Sequence, residues 1–213
     1  MGRIHVGVLA SGRGTDFQSL VDAAARGELD ATIAVLICNV PGAPVLERAK
    51  RARVPTVVID HRRFGKDREA WEREAAKALR EHDVDLVVLA GFMRLLTPYF
   101  IGEFRNRIMN IHPSLLPAFP GTHAHRDALA HGVKVSGCTI HFVDESVDGG
   151  PIILQKAVPV LTDDTEETLS ARVLEQEHIV LPLAVRLFAE GRLSVEGRKV
   201  RINTQGLRLP PMA

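Results

Sequence analysis

Surplus charge, cysteine and long apolar runs are all scarce in this 213-residue chain, and each shortage excludes something. The apolar runs, such as residues 33–38 and 86–90, have the length of a strand. They fall far short of the ~20 residues that a bilayer-spanning helix needs. The N-terminal run, residues 4–9, is also too short for a secretory signal. The two cysteines, Cys38 and Cys138, cannot build a disulfide framework. Both sit in apolar, strand-like surroundings and read as buried free thiols in a reducing compartment. The expected location is therefore cytoplasmic. Lys and Arg number 27 against 26 Asp and Glu, a net charge of +1. That balance excludes a nucleic-acid binder working by bulk charge, and it gives no pull toward an anionic membrane.

Several signatures are missing as well. The turn Ser11-Gly12-Arg13-Gly14 lacks the third glycine of a dinucleotide fingerprint, because position 17 is Phe. Asn39 stands where an NAD enzyme would carry an acidic residue at the end of its second strand. There is no Gly-Lys-Ser/Thr loop for a nucleoside triphosphate and no Gly-x-Ser-x-Gly elbow for a serine hydrolase. His123 and His125 form a His-x-His pair, but no cysteine pair accompanies them, so no metal is expected.

What is present alternates. Apolar runs at residues 4–10, 31–38, 56–59 and 86–90 are separated by helical patterns at 15–27, 44–53 and 67–81. Continuous apolar strands between helices imply a parallel sheet covered on both faces, an α/β fold. Further strands are expected at 107–111, 135–143 and 152–160, about seven in the central sheet. A long helix at 164–190 must accommodate Pro182, and a hairpin closes the chain near 195–200. The expectation is one domain over residues 1–213. About 1–100 would serve nucleotide-phosphate binding, and about 101–213 catalysis and cosubstrate binding. Five basic residues after position 191 (Arg192, Arg198, Lys199, Arg201, Arg208) read as a solvated edge or as a phosphate or RNA contact.

Three segments carry chemistry. The glycine turn before Thr15 and Asp16 opens a helix, and backbone N–H groups there suit a monophosphate. Were it a plain turn, Thr15 would be the cap. In Asn110-Ile111-His112-Pro113, residues i and i+2 share a strand face, so Asn110 and His112 project together. Pro113 holds His112 extended. An amide beside an imidazole suits a carbonyl centre, stabilising an oxyanion and moving a proton. Asp148, in Asp148-Gly149-Gly150, is either a turn former or the carboxylate that orients a catalytic His; Asp144 and Glu145 are rivals.

These segments, with Leu89-Ala90-Gly91-Phe92-Met93-Arg94-Leu95-Leu96, the run Ser114-Leu115-Leu116-Pro117, Gln176-Glu177-His178 and Gly206-Leu207-Arg208-Leu209-Pro210-Pro211, resemble the folate-dependent formyltransferases, in their glycinamide ribonucleotide branch. The resemblance covers nearly the whole chain. It implies a three-layer, Rossmann-like formyltransferase fold and transfer of the formyl group of 10-formyltetrahydrofolate to the amine of phosphoribosylglycinamide in purine biosynthesis. It implies Asn110, His112 and Asp148 as the catalytic set. Gly14, Thr15, Asp16 and Glu177 would take the ribonucleotide. Met93, Arg94, Leu95, Leu96 and Asn110 would take the folate, with Arg68 on its glutamate tail. Expected partners are these two small molecules, with no metal, nucleic acid or membrane, in a monomer or homodimer. The hydrolase and tRNA-formylating relatives would need an extra domain. One departure stands out: the family usually has Asn where this chain has Asp16. A carboxylate near a phosphate is repulsive unless it faces the ribose or the ammonium.

Overall fold

A computed structural model of the chain describes residues 3–207. The chain divides into two compact units, Met1–Asn110 and Ile111–Ala213. The fold is α/β with mostly parallel strand pairing and flanking helices.

The first unit runs β1 (Ile4–Ala10), α1 (Thr15–Ala25), β2 (Ala31–Cys38), α2 (Pro44–Ala52), β3 (Thr56–Val58), a 3-10 turn (His61–Phe64), α3 (Arg68–Glu81), β4 (Leu86–Leu89), α4 (Pro98–Glu103) and the start of β5 (Ile108–His112). Its strand order is β3-β2-β1-β4-β5, with every pair parallel. The apolar composition of the inner strands follows from burial on both faces: Val6, Val8, Leu9, Leu86, Val87 and Val88 are all buried. Pro44 sits in the first turn of α2, where its missing N–H costs nothing. Asp67 caps α3 by accepting the Ala70 N–H at 2.9 Å. Trp71 on α3 is buried, and its indole N–H donates to the Ile59 carbonyl at 2.7 Å.

The second unit contains α5 (Ala124–His131), β6 (Val135–Phe142), β7 (Ile152–Pro159), α6 (Glu166–Ala189), β8 (Leu193–Glu196) and β9 (Lys199–Ile202). Its strand order is β6-β7-β9-β8. β6 and β7 form an antiparallel hairpin whose register shifts after Ile140, just before the connecting loop. A Thr165–Thr168 capping box starts α6. The helix lays Leu169, Val173, Val180, Leu181 and Ala184 onto β6 and β7 and runs on through the buried Pro182.

Nine strands are found among the described residues, against about seven expected in the central sheet. The difference is the terminal hairpin: β9 pairs parallel with β7 at Ile152↔Lys199 and so extends the strand order. Two short helices, α4 and α5, were not expected. α4 has six residues, and α5 buries only Ala124 and Ala128, too little for a helical period to be visible. Leu116-Pro117 is cis. Arg208, Leu209, Pro210 and Pro211 lie outside the described residues. No helix among the described residues is long and apolar enough to cross a membrane.

Candidate active site

The turn after β1 is shaped for backbone recognition. Gly14 occupies the N-cap position of α1 with φ 71°, and no side chain caps the helix there. Thr15 is thus the first helical residue rather than the cap. A Cβ on Gly14 would stand 2.3 Å from Val45 Cγ2, so glycine is required by both conformation and space. α2 fixes the turn from behind: the Val45 N–H donates to the Gly12 carbonyl at 3.1 Å, and Arg48 Nε donates to the Arg13 carbonyl at 2.8 Å. The first N–H groups of an 11-residue helix suit an anion. Asp16 lies in the first turn of α1, with its Oδ1 out of reach of solvent. Burial pushes its carboxyl up to about 6, against the opposing pull of Arg13. A carboxyl that takes up a proton so readily repels a phosphate less than an ordinary aspartate does.

The loop after β4 leaves its apolar side chains in water. Met93 is 69% exposed and Leu95 57%, so neither packs against the fold; Arg94 and Leu96 are half-buried. Exposed apolar side chains on one short loop are what a flat aromatic ligand would cover. Arg68 opens α3 and is exposed, with no ion pair among the described residues. Arg62, by contrast, is held by Asp60 at 2.7 Å.

β5 ends one residue later than expected, which makes His112 its last residue. Asn110 is half-buried two positions earlier. His112 is 4% exposed. Its Nε2 faces the Phe119 carbonyl at 2.9 Å, and its Nδ1 faces Asp148 Oδ2 at 3.5 Å. Both ring nitrogens therefore meet acceptors, and both can donate only when the ring is an imidazolium. Asp148 has φ 50° and accepts the Gly121 N–H at 2.8 Å. Its other oxygen lies 3.9 Å from Nε2 of His141, a buried residue of β6 that the sequence reading did not single out. Burial pulls the His141 pKa down, which favours a neutral ring. The one signal that pointed to His141 was its place at the end of the strand leading into the Asp148 loop. The rivals fall away. Asp144 is spent on the Ser146 backbone and hydroxyl, and Glu145 is exposed. Gly150 lets the loop close onto β6, since a Cβ there would meet the Phe142 carbonyl oxygen at 1.8 Å.

Glu177 is buried on α6. Both cysteines are buried, and neither is in a disulfide. Among the described residues no three His, Cys, Asp or Glu side chains converge as metal ligands. Three of the basic residues near the C-terminus are engaged locally: Arg192 with Glu190, Arg201 with Glu196, and Arg198 on the Gly149 carbonyl.

Three comparisons bear on these segments. Residues 4–185 match the family described as formyl transferase. The chain is 41% identical over 208 residues to the phosphoribosylglycinamide formyltransferase of Escherichia coli (strain K12), covering 98% of this chain and 97% of the relative. It superposes on the glycinamide ribonucleotide transformylase 1 of Symbiobacterium toebii with a TM-score of 0.91 at 53% identity, covering 93% of each chain. A formyltetrahydrofolate deformylase from Pseudomonas syringae pv. tomato is also similar, with a TM-score of 0.87 at 31% identity, covering 94% of this chain and 66% of that one.

Proposed function

The chain belongs to the formyl transferase family, and from that premise we propose that it moves the formyl group of 10-formyltetrahydrofolate to the amine of phosphoribosylglycinamide, a step of purine biosynthesis in the cytoplasm. Residues 1–213 act as one formyltransferase domain in this reading. The amine attacks the formyl carbon directly. A carbon–nitrogen bond forms, the carbonyl oxygen becomes an oxyanion, and the bond to the folate nitrogen then breaks. The proton lost by the attacking amine balances the one gained by the leaving nitrogen. The Asn110 amide donates to the oxyanion, and the His112 Nε2–H joins it by exchanging the Phe119 carbonyl for the oxyanion. Asp148 orients the ring through Nδ1, and His112 handles the proton in transit.

The single observation that carries this reading is the His112 ring set between the Phe119 carbonyl and the Asp148 carboxylate. Gly14, Thr15, Asp16 and Glu177 are assigned to the ribonucleotide. Arg68, Met93, Arg94, Leu95, Leu96 and Asn110 are assigned to the folate. The raised Asp16 carboxyl supports its place beside a phosphate. The test is a spectroscopic assay of formyl transfer with both substrates and a control lacking the amine. His112→Ala should lower kcat by at least about a hundredfold with unchanged circular dichroism. Near-normal turnover in that variant would sink the mechanism. Folate release that persists without the amine would point instead to a hydrolase.

A further inference from the structure

Residues 91–97 connect β4 to α4 and have little apolar packing of their own. Met93 and Leu95 face solvent; Phe92 alone stacks inward, on Trp71, with ring centroids 5.4 Å apart. The backbone of this loop hangs instead from side chains of other elements. At its start, Ser11 Oγ accepts the Met93 N–H at 3.0 Å and donates to Asn39 Oδ1 at 2.7 Å. At its end, Glu72 takes both donors of Thr97. The backbone N–H reaches Oε1 at 2.8 Å, and the hydroxyl reaches Oε2.

Glu72 is 1% exposed. A carboxylate so placed is costly, because little else in its surroundings solvates it. Burial pushes its pKa up, while the two Thr97 hydrogen bonds and Arg68 oppose that shift. An apolar side chain would fill the same volume without this cost, so stability alone does not account for the residue. Its place on α3 does. Glu72 stands four residues after Arg68, one helical turn away. The helix that presents a cation to solvent therefore also grips the far end of the apolar loop. Both lie in the first unit.

We propose that Glu72 is the positioning residue of the formyl-donor site. By clamping Thr97 to α3 it sets the separation of the apolar turn 93–96 from Arg68, and so governs how the folate is held rather than how the formyl group moves. This rests on the assignment of that turn and of Arg68 to the folate.

The test uses the full-length chain. Glu72→Gln keeps the shape but sets an NH2 group against one of the two Thr97 donors. Its KM for 10-formyltetrahydrofolate should rise about tenfold, the cost of stranding a buried donor. KM for the ribonucleotide should stay within about twofold and kcat within about threefold. Amide exchange at residues 92–97 should quicken, and acrylamide should quench the sole tryptophan, Trp71, more readily. Thr97→Val should move the same readouts in the same direction, and Thr97→Ser should leave them at the unaltered values. Equal rises in both KM values, or an unchanged folate KM, would overturn the proposal. If Glu72→Gln does not fold, the contrast between Thr97→Val and Thr97→Ser decides. A failure of the unaltered protein to transfer formyl would sink the functional reading alone. Unchanged exchange at 92–97 in Glu72→Gln would sink the clamp.

Discussion

The loops of the first unit proposed to hold the ligands and the histidine cluster of the second are made of different materials. The first unit offers backbone and exposed apolar side chains: the helix end behind Gly14 and the turn carrying Met93 and Leu95. In the second, His112, His141 and Asp148 are largely withdrawn from water and aimed at one another. A backbone site survives side-chain exchange as long as its φ angles survive. A buried charged cluster does not, because each lone pair and proton there has a particular partner. Side-chain changes should therefore damage the rate in the second unit, and affinity or folding in the first.

The sharpest test of this contrast is Asp148→Asn. It keeps the size of the side chain and leaves an acceptor for the Gly121 N–H, yet removes the charge facing His112. We expect kcat to fall by about a hundredfold or more and the pH–rate profile to move. An unmoved profile in steady-state assays would separate Asp148 from the chemistry. Gly14→Ala comes next. The positive φ and the clash with Val45 should lower stability by about 3 kcal/mol and raise KM for the ribonucleotide. Urea unfolding with near-unaltered stability would show that this turn has more room than its contacts imply.

Asp16 is the one titratable group among the first-unit residues proposed for the ribonucleotide. Its native pKa of about 6 lies above the usual 3.8, so the folded chain holds this proton more tightly than the unfolded one. Its contribution to stability is fully present below pH ~4 and is lost as pH rises through about 6, a change on the order of 2–3 kcal/mol. Asp16→Asn should flatten that fall in thermal unfolding followed from pH 4 to 8; a parallel curve would argue against it. The smallest effect is expected from Arg68→Ala. KM for the folate should rise about fivefold with kcat unchanged, since an exposed cation contributes on the order of 1 kcal/mol. A loss in kcat instead would place Arg68 closer to the reaction than its exposed position suggests.

The same contrast explains what could be read from the sequence. The turn around Gly14 was legible because the residues shaping it are local, apart from Val45 and Arg48. The run Asn110 to Pro113 was legible because strand alternation fixes which side chains project together. Asp148 could not be told from Asp144 and Glu145 by spacing. The choice depends on how the β6–β7 loop folds back, and only then is Asp144 seen to be used up by Ser146. His141 and Glu72 were missed for a related reason. Each acts across a gap in sequence, His141 on a loop residue and Glu72 on Thr97, 25 positions away, and neither belongs to a local motif.

One terminal strand of each strand order, β3 and β8, carries a further consequence. β3 has three residues and β8 four, with Glu196 at the end of β8. A long bare edge offers a row of unpaired amide groups on which a strand from another molecule can build. These edges offer too few to template such growth. The protein should therefore tolerate high concentration without edge-to-edge polymerisation, a property that owes nothing to its substrates and everything to where two short strands stop.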